Sequence, residues 1–133
     1  MSQELTRYLW IGFGSALGGM ARYGVYGLMV RVAGDTFPWG TLTVNVAGSL
    51  FIGWFAALSA PEGRWFVPVV ARQFVMVGVC GGFTTFSSFS LETLRLLNDG
   101  QFAKALANIG ASLPLCLVGV WLGYAIGTAM NER

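Results

Sequence analysis

The chain has 133 residues, 55% of them hydrophobic and only 11% charged, with a formal net charge of +2 and a mean hydropathy of +0.64. This composition belongs to an integral membrane protein with room for about four spans of roughly 20 residues, and none for a separate soluble domain. The eight basic residues, seven of them arginines, are scattered singly and give no nucleic-acid patch, while the absence of histidine removes the usual proton shuttle and triad base and disfavours an enzyme.

The first apolar run, residues 8–30, is predicted to be one span carrying a buried or snorkelling Arg22, with Gly14 and Gly18 spaced as a GxxxG pair that admits a neighbouring helix. It is too long for the apolar core of a cleavable signal peptide and continues past Arg22, so it is expected to remain in the mature protein. Residues 39–60 contain no charge, lie between Pro38 and Pro61, and begin with Trp39 where an interfacial aromatic anchor belongs. The third run, about residues 72–97, contains GGFTTFSSFS at 81–90, hydroxyls and phenylalanines after a glycine pair. A glycine pair loosening a helix at membrane depth is tolerated where the backbone lines a protein-buried or wet cavity, so this run is expected to be two half-helices meeting near Gly81 and Gly82. The last span falls within residues 104–130, where Gly119, Gly123 and Gly127 recur on one face and predict tight packing on a neighbour. Cys80 and Cys116 sit inside apolar segments without metal-ligand spacing and read as packing residues.

Four spans bring both termini to one side of the membrane. Arg7, Arg64, Arg72 and Arg133 then flank that side, and Arg31, Arg95 and Lys104 the other. Orientation follows an excess of Lys and Arg on one side, and a near-balance permits insertion either way up. Two oppositely inserted copies would meet about a two-fold axis in the membrane plane, so the expected assembly is an antiparallel, dual-topology homodimer of eight spans.

Polar residues recur at helical spacing: Thr41, Asn45 and Ser49 on the second span, and Asn108, Ser112 and Cys116 on the fourth. After the break, Thr84, Ser87 and Ser88 stand close to Phe86 and Phe89, with Glu92 about one turn beyond. Any single hydroxyl here can serve as interhelical glue, and Arg22 and Glu92 can be purely structural. Asn45, with two donors and two acceptor lone pairs, is open between a structural and a ligand-facing role. The lining as a whole suits an anion, because amides and hydroxyls donate and a phenyl ring is electropositive at its edge. Carbonyls freed at the break could coordinate one cation.

GGFTTFSSFS, together with WGTLTVNVAGSLFIG at 39–53 and GGMARYG at 18–24, resembles the Fluc fluoride-channel family, also called CrcB proteins, over essentially the whole chain. The resemblance implies an all-α, antiparallel dual-topology dimer in a bacterial inner membrane with two pores that export fluoride passively. By position it implies a fluoride path lined by Asn45, Phe86, Phe89, Ser87, Ser88 and Ser112 and leading toward Glu92, with Arg22 at a vestibule. Phe83, which precedes the matching segment, is not assigned to the pore. The resemblance further implies a structural sodium ion at the dimer centre, held by backbone carbonyls of Gly81 and Thr84 from both copies. The chain departs from the family pattern at Cys116, where a serine is frequent, at Asn108 and at Pro114. Two rivals stand beside this reading. A small multidrug-type transporter would need a carboxylate embedded in the first span, whereas Glu4 is the only acidic residue before Asp35; a structural membrane subunit would need only the glycine faces.

Overall fold

A computed structural model describes residues 2–132, and all of its regular structure among them is helical. Helix α1 spans Gln3–Ala33, α2 Trp39–Leu58, α3 Val69–Gln73, α4 Gly81–Phe83, α5 Phe86–Asn98 and α6 Phe102–Asn131, and a π-helical segment, Phe74–Cys80, joins α3 to α4. The Ser2 side chain caps α1 by accepting from the Leu5 N–H, and the chain leaves that helix through Gly34 at φ 79°, a left-handed conformation that costs a glycine little. Gly100, at φ 71°, makes the short turn from α5 into α6.

Among the described residues three stretches are long and apolar enough to cross a membrane: Trp39–Leu58, Val69–Asn98 taken through its break, and Phe102–Asn131. Helix α1, the expected first span, has the length at 31 residues but falls outside this set, and Glu4, Arg7, Arg22 and Arg31 lie along it. The second, third and fourth runs start and stop within a few residues of their expected positions.

The glycine faces pack against other helices of the same chain. Helices α2 and α6 make the most extensive contact, with Gly119, Gly123 and Gly127 against α2: a Cβ on Gly123 would strike the Leu50 carbonyl and come within 2.9 Å of the Trp54 nitrogen. Helix α1 packs on the π-helical segment and α4 through its GxxxG pair, for a Cβ on Gly14 would lie 2.7 Å from the Phe74 carbonyl and one on Gly18 2.8 Å from the Phe83 nitrogen. The glycines thus shorten the distance between helix axes, the use such residues have where lipid supplies no hydrophobic drive between helices.

Loop positions bear on the charge balance. The Arg64 N–H donates to Asn131 Oδ1 at 2.8 Å, which puts the α2–α3 loop and the chain's C-terminal helix end together, while Asp35, Arg95, Asp99 and Lys104 gather around one cavity at the opposite loops. Arg133, expected on the same side as Arg64, lies outside the described residues.

Candidate functional site at the helix break

The third run opens, but not at the glycine pair. Gly81 has helical angles (φ −63°, ψ −36°), and α4 carries both glycines; the helix stops at Thr84 (φ −88°, ψ 159°) and Thr85 (φ −156°, ψ 121°). The expected position is therefore corrected by about three residues. Gly82 is there for close packing, since a Cβ on it would strike the backbone of Ser15 in α1. The break itself sits at two β-branched residues, which tolerate extended backbone well.

What holds Thr85 extended is Asn45. Its Oδ1 accepts from the Thr85 N–H at 2.7 Å and its Nδ2 donates to the Thr85 carbonyl at 2.9 Å, so the carboxamide satisfies both backbone groups of one residue. The Thr85 N–H would otherwise bond the Gly81 carbonyl in an unbroken helix. That carbonyl is released from the ladder, and nothing stands within 4 Å of the place a Gly81 Cβ would take. The Thr84 carbonyl accepts from the Arg22 guanidinium at 3.3 Å. Arg22 thus serves the break directly, and two carbonyl oxygens with spare lone pairs, those of Gly81 and Thr84, flank it; this donor set fits a monovalent cation of the kind unwound carbonyls hold in membrane proteins.

Thr85 also starts α5. Its Oγ1 accepts from the Ser88 N–H and donates to Ser88 Oγ, both at 3.2 Å, and lies 3.3 Å from Ser87 Oγ. This cap leaves the Ser88 hydroxyl proton uncommitted. Ser87 is exposed on the same turn, and the Phe86 and Phe89 rings stand 5.3 Å apart at 45°, Phe86 exposed and Phe89 buried.

A cavity of about 300 Å3 lies against the break and is bordered by Asn45, Ser49, Phe86, Phe89, Ser112 and Cys116 among others. The stripes read from the second and fourth runs both reach it. On the fourth, Asn108 is wholly buried, donates from Nδ2 to Thr93 Oγ1 at 3.0 Å and accepts from the Ser112 hydroxyl at 3.2 Å, while Thr93 bonds the Phe89 carbonyl at 2.7 Å. Ser112 consequently turns an oxygen, not a proton, toward the cavity. Thr93 was not singled out in the sequence; its signal is its spacing of four from Phe89, which directs its hydroxyl back to that carbonyl.

Glu92 stands apart from this cavity, further along α5. Thr41 Oγ1 donates to Glu92 Oε1 at 2.9 Å and in turn lies 2.9 Å from the Tyr26 hydroxyl, so Tyr26 supplies the proton that Thr41 accepts. Glu92 Oε2 is buried without a protein partner among the described residues. The structure therefore gathers Asn45, Phe86, Phe89, Ser87, Ser88 and Ser112 around the break, and places Glu92 in a neighbouring group with Thr41 and Tyr26. Tyr26 gave no sequence signal beyond being a tyrosine in an apolar run.

A bundle of apolar helices whose third member unwinds against a polar-edged cavity defines a multi-pass membrane protein built around a transport-type discontinuity. Residues 9–124 match the family model described as CrcB-like protein, Camphor Resistance (CrcB), and the chain belongs to that family. Its sequence is 55% identical over 128 residues to a protein named fluoride-specific ion channel FluC of Opitutus terrae, covering 96% of this chain and 97% of that one. Proteins of the same name from Methylocella silvestris and Rhodospirillum rubrum are each 53% identical over 125 residues, covering 94% of this chain and 95% and 97% of theirs.

Proposed function

We propose that this chain is a passive, fluoride-selective ion channel that exports cytoplasmic fluoride across a bacterial inner membrane. The similarity to proteins named as fluoride-specific ion channels, extending over nearly the whole of both chains, is the observation that carries the reading. The site chemistry agrees with it. Fluoride is small and strongly hydrated, and its passage needs donors placed closely enough to replace water. Asn45 uses one Nδ2–H on Thr85 and keeps the other, Ser88 keeps its hydroxyl proton, and the tilted Phe86 and Phe89 can offer ring edges.

In this reading α1 is a span as well, the first of four, with Arg22 shielded from lipid by its bond to the Thr84 carbonyl, and the protein works as an antiparallel, dual-topology homodimer. A second copy would complete the walls of the cavity that one protomer leaves open beside Phe86. A sodium ion between the Gly81 and Thr84 carbonyls of both copies would supply a fixed positive charge where the helix ladder is interrupted. Ser87, Ser88 and Ser112 line the route and Glu92 with Thr41 stands at its far end.

Proteoliposomes loaded with fluoride and monitored with a fluoride electrode test the proposal. Rapid efflux of fluoride, with chloride efflux at background, is expected, and efflux in Phe86→Leu and Phe89→Leu should drop by more than about tenfold. Equal passage of chloride would overturn it.

A further inference from the structure

The loop over residues 59–68 turns back on the end of α2: the Gly63 N–H donates to the Ala60 carbonyl at 2.8 Å and the Trp65 N–H to the Leu58 carbonyl at 2.9 Å. It joins two stretches able to cross a membrane, Trp39–Leu58 and Val69–Asn98, and therefore lies at one membrane boundary. Trp65 is held there edge-on to Trp54, with ring centroids 5.2 Å apart, in the place of an interfacial aromatic anchor. Phe66 is 98% exposed and Val69 61% exposed, so an apolar patch without a protein cover adjoins that anchor.

Arg72 follows Val69 by three positions and shares its face of α3. Its Nε donates at 3.2 Å to Ser59 Oγ, whose own proton goes to the Phe55 carbonyl at 2.6 Å, and this fixes the guanidinium in place. Among the described residues neither Nη group of Arg72 has an acceptor, and no carboxylate lies within ion-pair distance of it. A cavity of about 530 Å3 is bordered by Ser59, Arg64, Trp65, Phe66, Val69 and Arg72 among others, and by no Asp or Glu; Glu62, in the same loop, is exposed and lies off its border. Arg64 donates from Nη1 to the Met130 carbonyl at 3.2 Å, so it adds positive potential to the cavity while Arg72 keeps the open donors.

We propose that Arg72, with Phe66 and Val69 beside it, forms a binding site for the phosphodiester headgroup of a membrane phospholipid. The Nη groups of a guanidinium present parallel N–H donors that match two phosphate oxygens. A half-buried charge without a counter-ion calls for an anion, and the exposed patch next to it calls for hydrocarbon. A phospholipid brings both in one molecule, whereas inorganic phosphate would bring only the first. One headgroup per chain would tie the α2–α3 loop to the bilayer surface. In the antiparallel dimer proposed above the two sites would fall on opposite leaflets; that placement rests on the dimer reading, whereas the binding does not.

Native mass spectrometry of the full chain in detergent, titrated with dioleoyl-phosphatidylglycerol, tests the site. One lipid per chain should bind ahead of all others, and Arg72→Gln should weaken that first binding by at least about tenfold. Arg31→Gln, which removes an exposed arginine from the last turn of α1, should leave it unchanged. Phe66→Ser takes away a side chain with almost no protein contact, so it keeps the fold intact and should still weaken the lipid several-fold. Arg72→Lys, which keeps the charge and loses the fork, should fall between the parent and Arg72→Gln. Inorganic phosphate in large molar excess should not displace the lipid. Equal weakening by Arg31→Gln and Arg72→Gln, or the absence of a saturable first lipid, would reduce the binding to diffuse charge and overturn the proposal. Displacement by phosphate together with full affinity in Phe66→Ser would show a free-anion site and overturn the lipid assignment. Fluoride flux enters none of these readouts, so their failure leaves the channel reading untouched.

Discussion

Asn45 and Thr85 are joined by two hydrogen bonds, at 2.7 and 2.9 Å, in which a side-chain amide on α2 occupies both backbone groups of an extended residue in the interrupted third run. The pair resembles one rung of a β-ladder inserted into a helical protein. It gives Asn45 a structural role, because this side chain holds the break, and the same residue borders the cavity beside it.

Replacing Asn45 by Ala should therefore damage structure as well as transport. Each of the two orphaned backbone groups is worth about 1–3 kcal/mol when left buried and unpaired. Asn45→Asp should be no better, since its second oxygen would face the Thr85 carbonyl where an N–H now donates. Thermal melting in detergent, followed by tryptophan fluorescence, is expected to show both variants below the parent; an unchanged melting temperature for Asn45→Ala would show that Thr85 finds other partners.

Among the glycines, position decides the outcome of adding one methyl group. Gly18→Ala and Gly123→Ala place a Cβ against the backbone of the facing helix and should cost about 1–3 kcal/mol through overpacking. Gly12, in the same helix as Gly18, has nothing within 4 Å of the place its Cβ would take, and Gly12→Ala should be neutral or gain up to about 1 kcal/mol in helix propensity. Equal destabilisation at Gly12 and Gly18 in a monodisperse preparation would contradict the packing described.

Thr41 is the hydrogen-bond donor that Glu92 depends on. Thr41→Val keeps the shape, leaves Oε1 as unpartnered as Oε2 already is, and should lower stability by about 1–3 kcal/mol. Adding Glu92→Gln to that background should restore part of the loss, because a neutral amide is less costly to leave without a donor than a carboxylate. A double-mutant cycle reads this directly, and strictly additive effects would show that the two side chains do not interact.

Insertion in both orientations is the expectation that the even distribution of flanking arginines and lysine raises. Reporter domains fused to the C-terminus should be found on both faces of the membrane in similar amounts, and two further lysines in the loop between α2 and α3 should bias the population to one face. A one-sided distribution in the unmodified chain would remove the antiparallel homodimer.

Composition and spacing alone determined the membrane class, the limits of the second, third and fourth runs to within a few residues, the small-residue packing faces and the interruption at 81–90, because the bilayer imposes length, apolarity and closed backbone hydrogen bonding on any chain that crosses it. Tertiary structure decided where the helix opens. Gly81 and Gly82 look like the weak point in the sequence, yet they remain helical, and the break falls where Asn45 captures Thr85 from another helix. It also separated Glu92 from the cavity, committed the Ser112 proton to Asn108, and fixed Arg72 on Ser59 at the end of α2. Those facts depend on which side chains meet across helices, and one-dimensional spacing gives a residue's face on its own helix but not the neighbour that face will find.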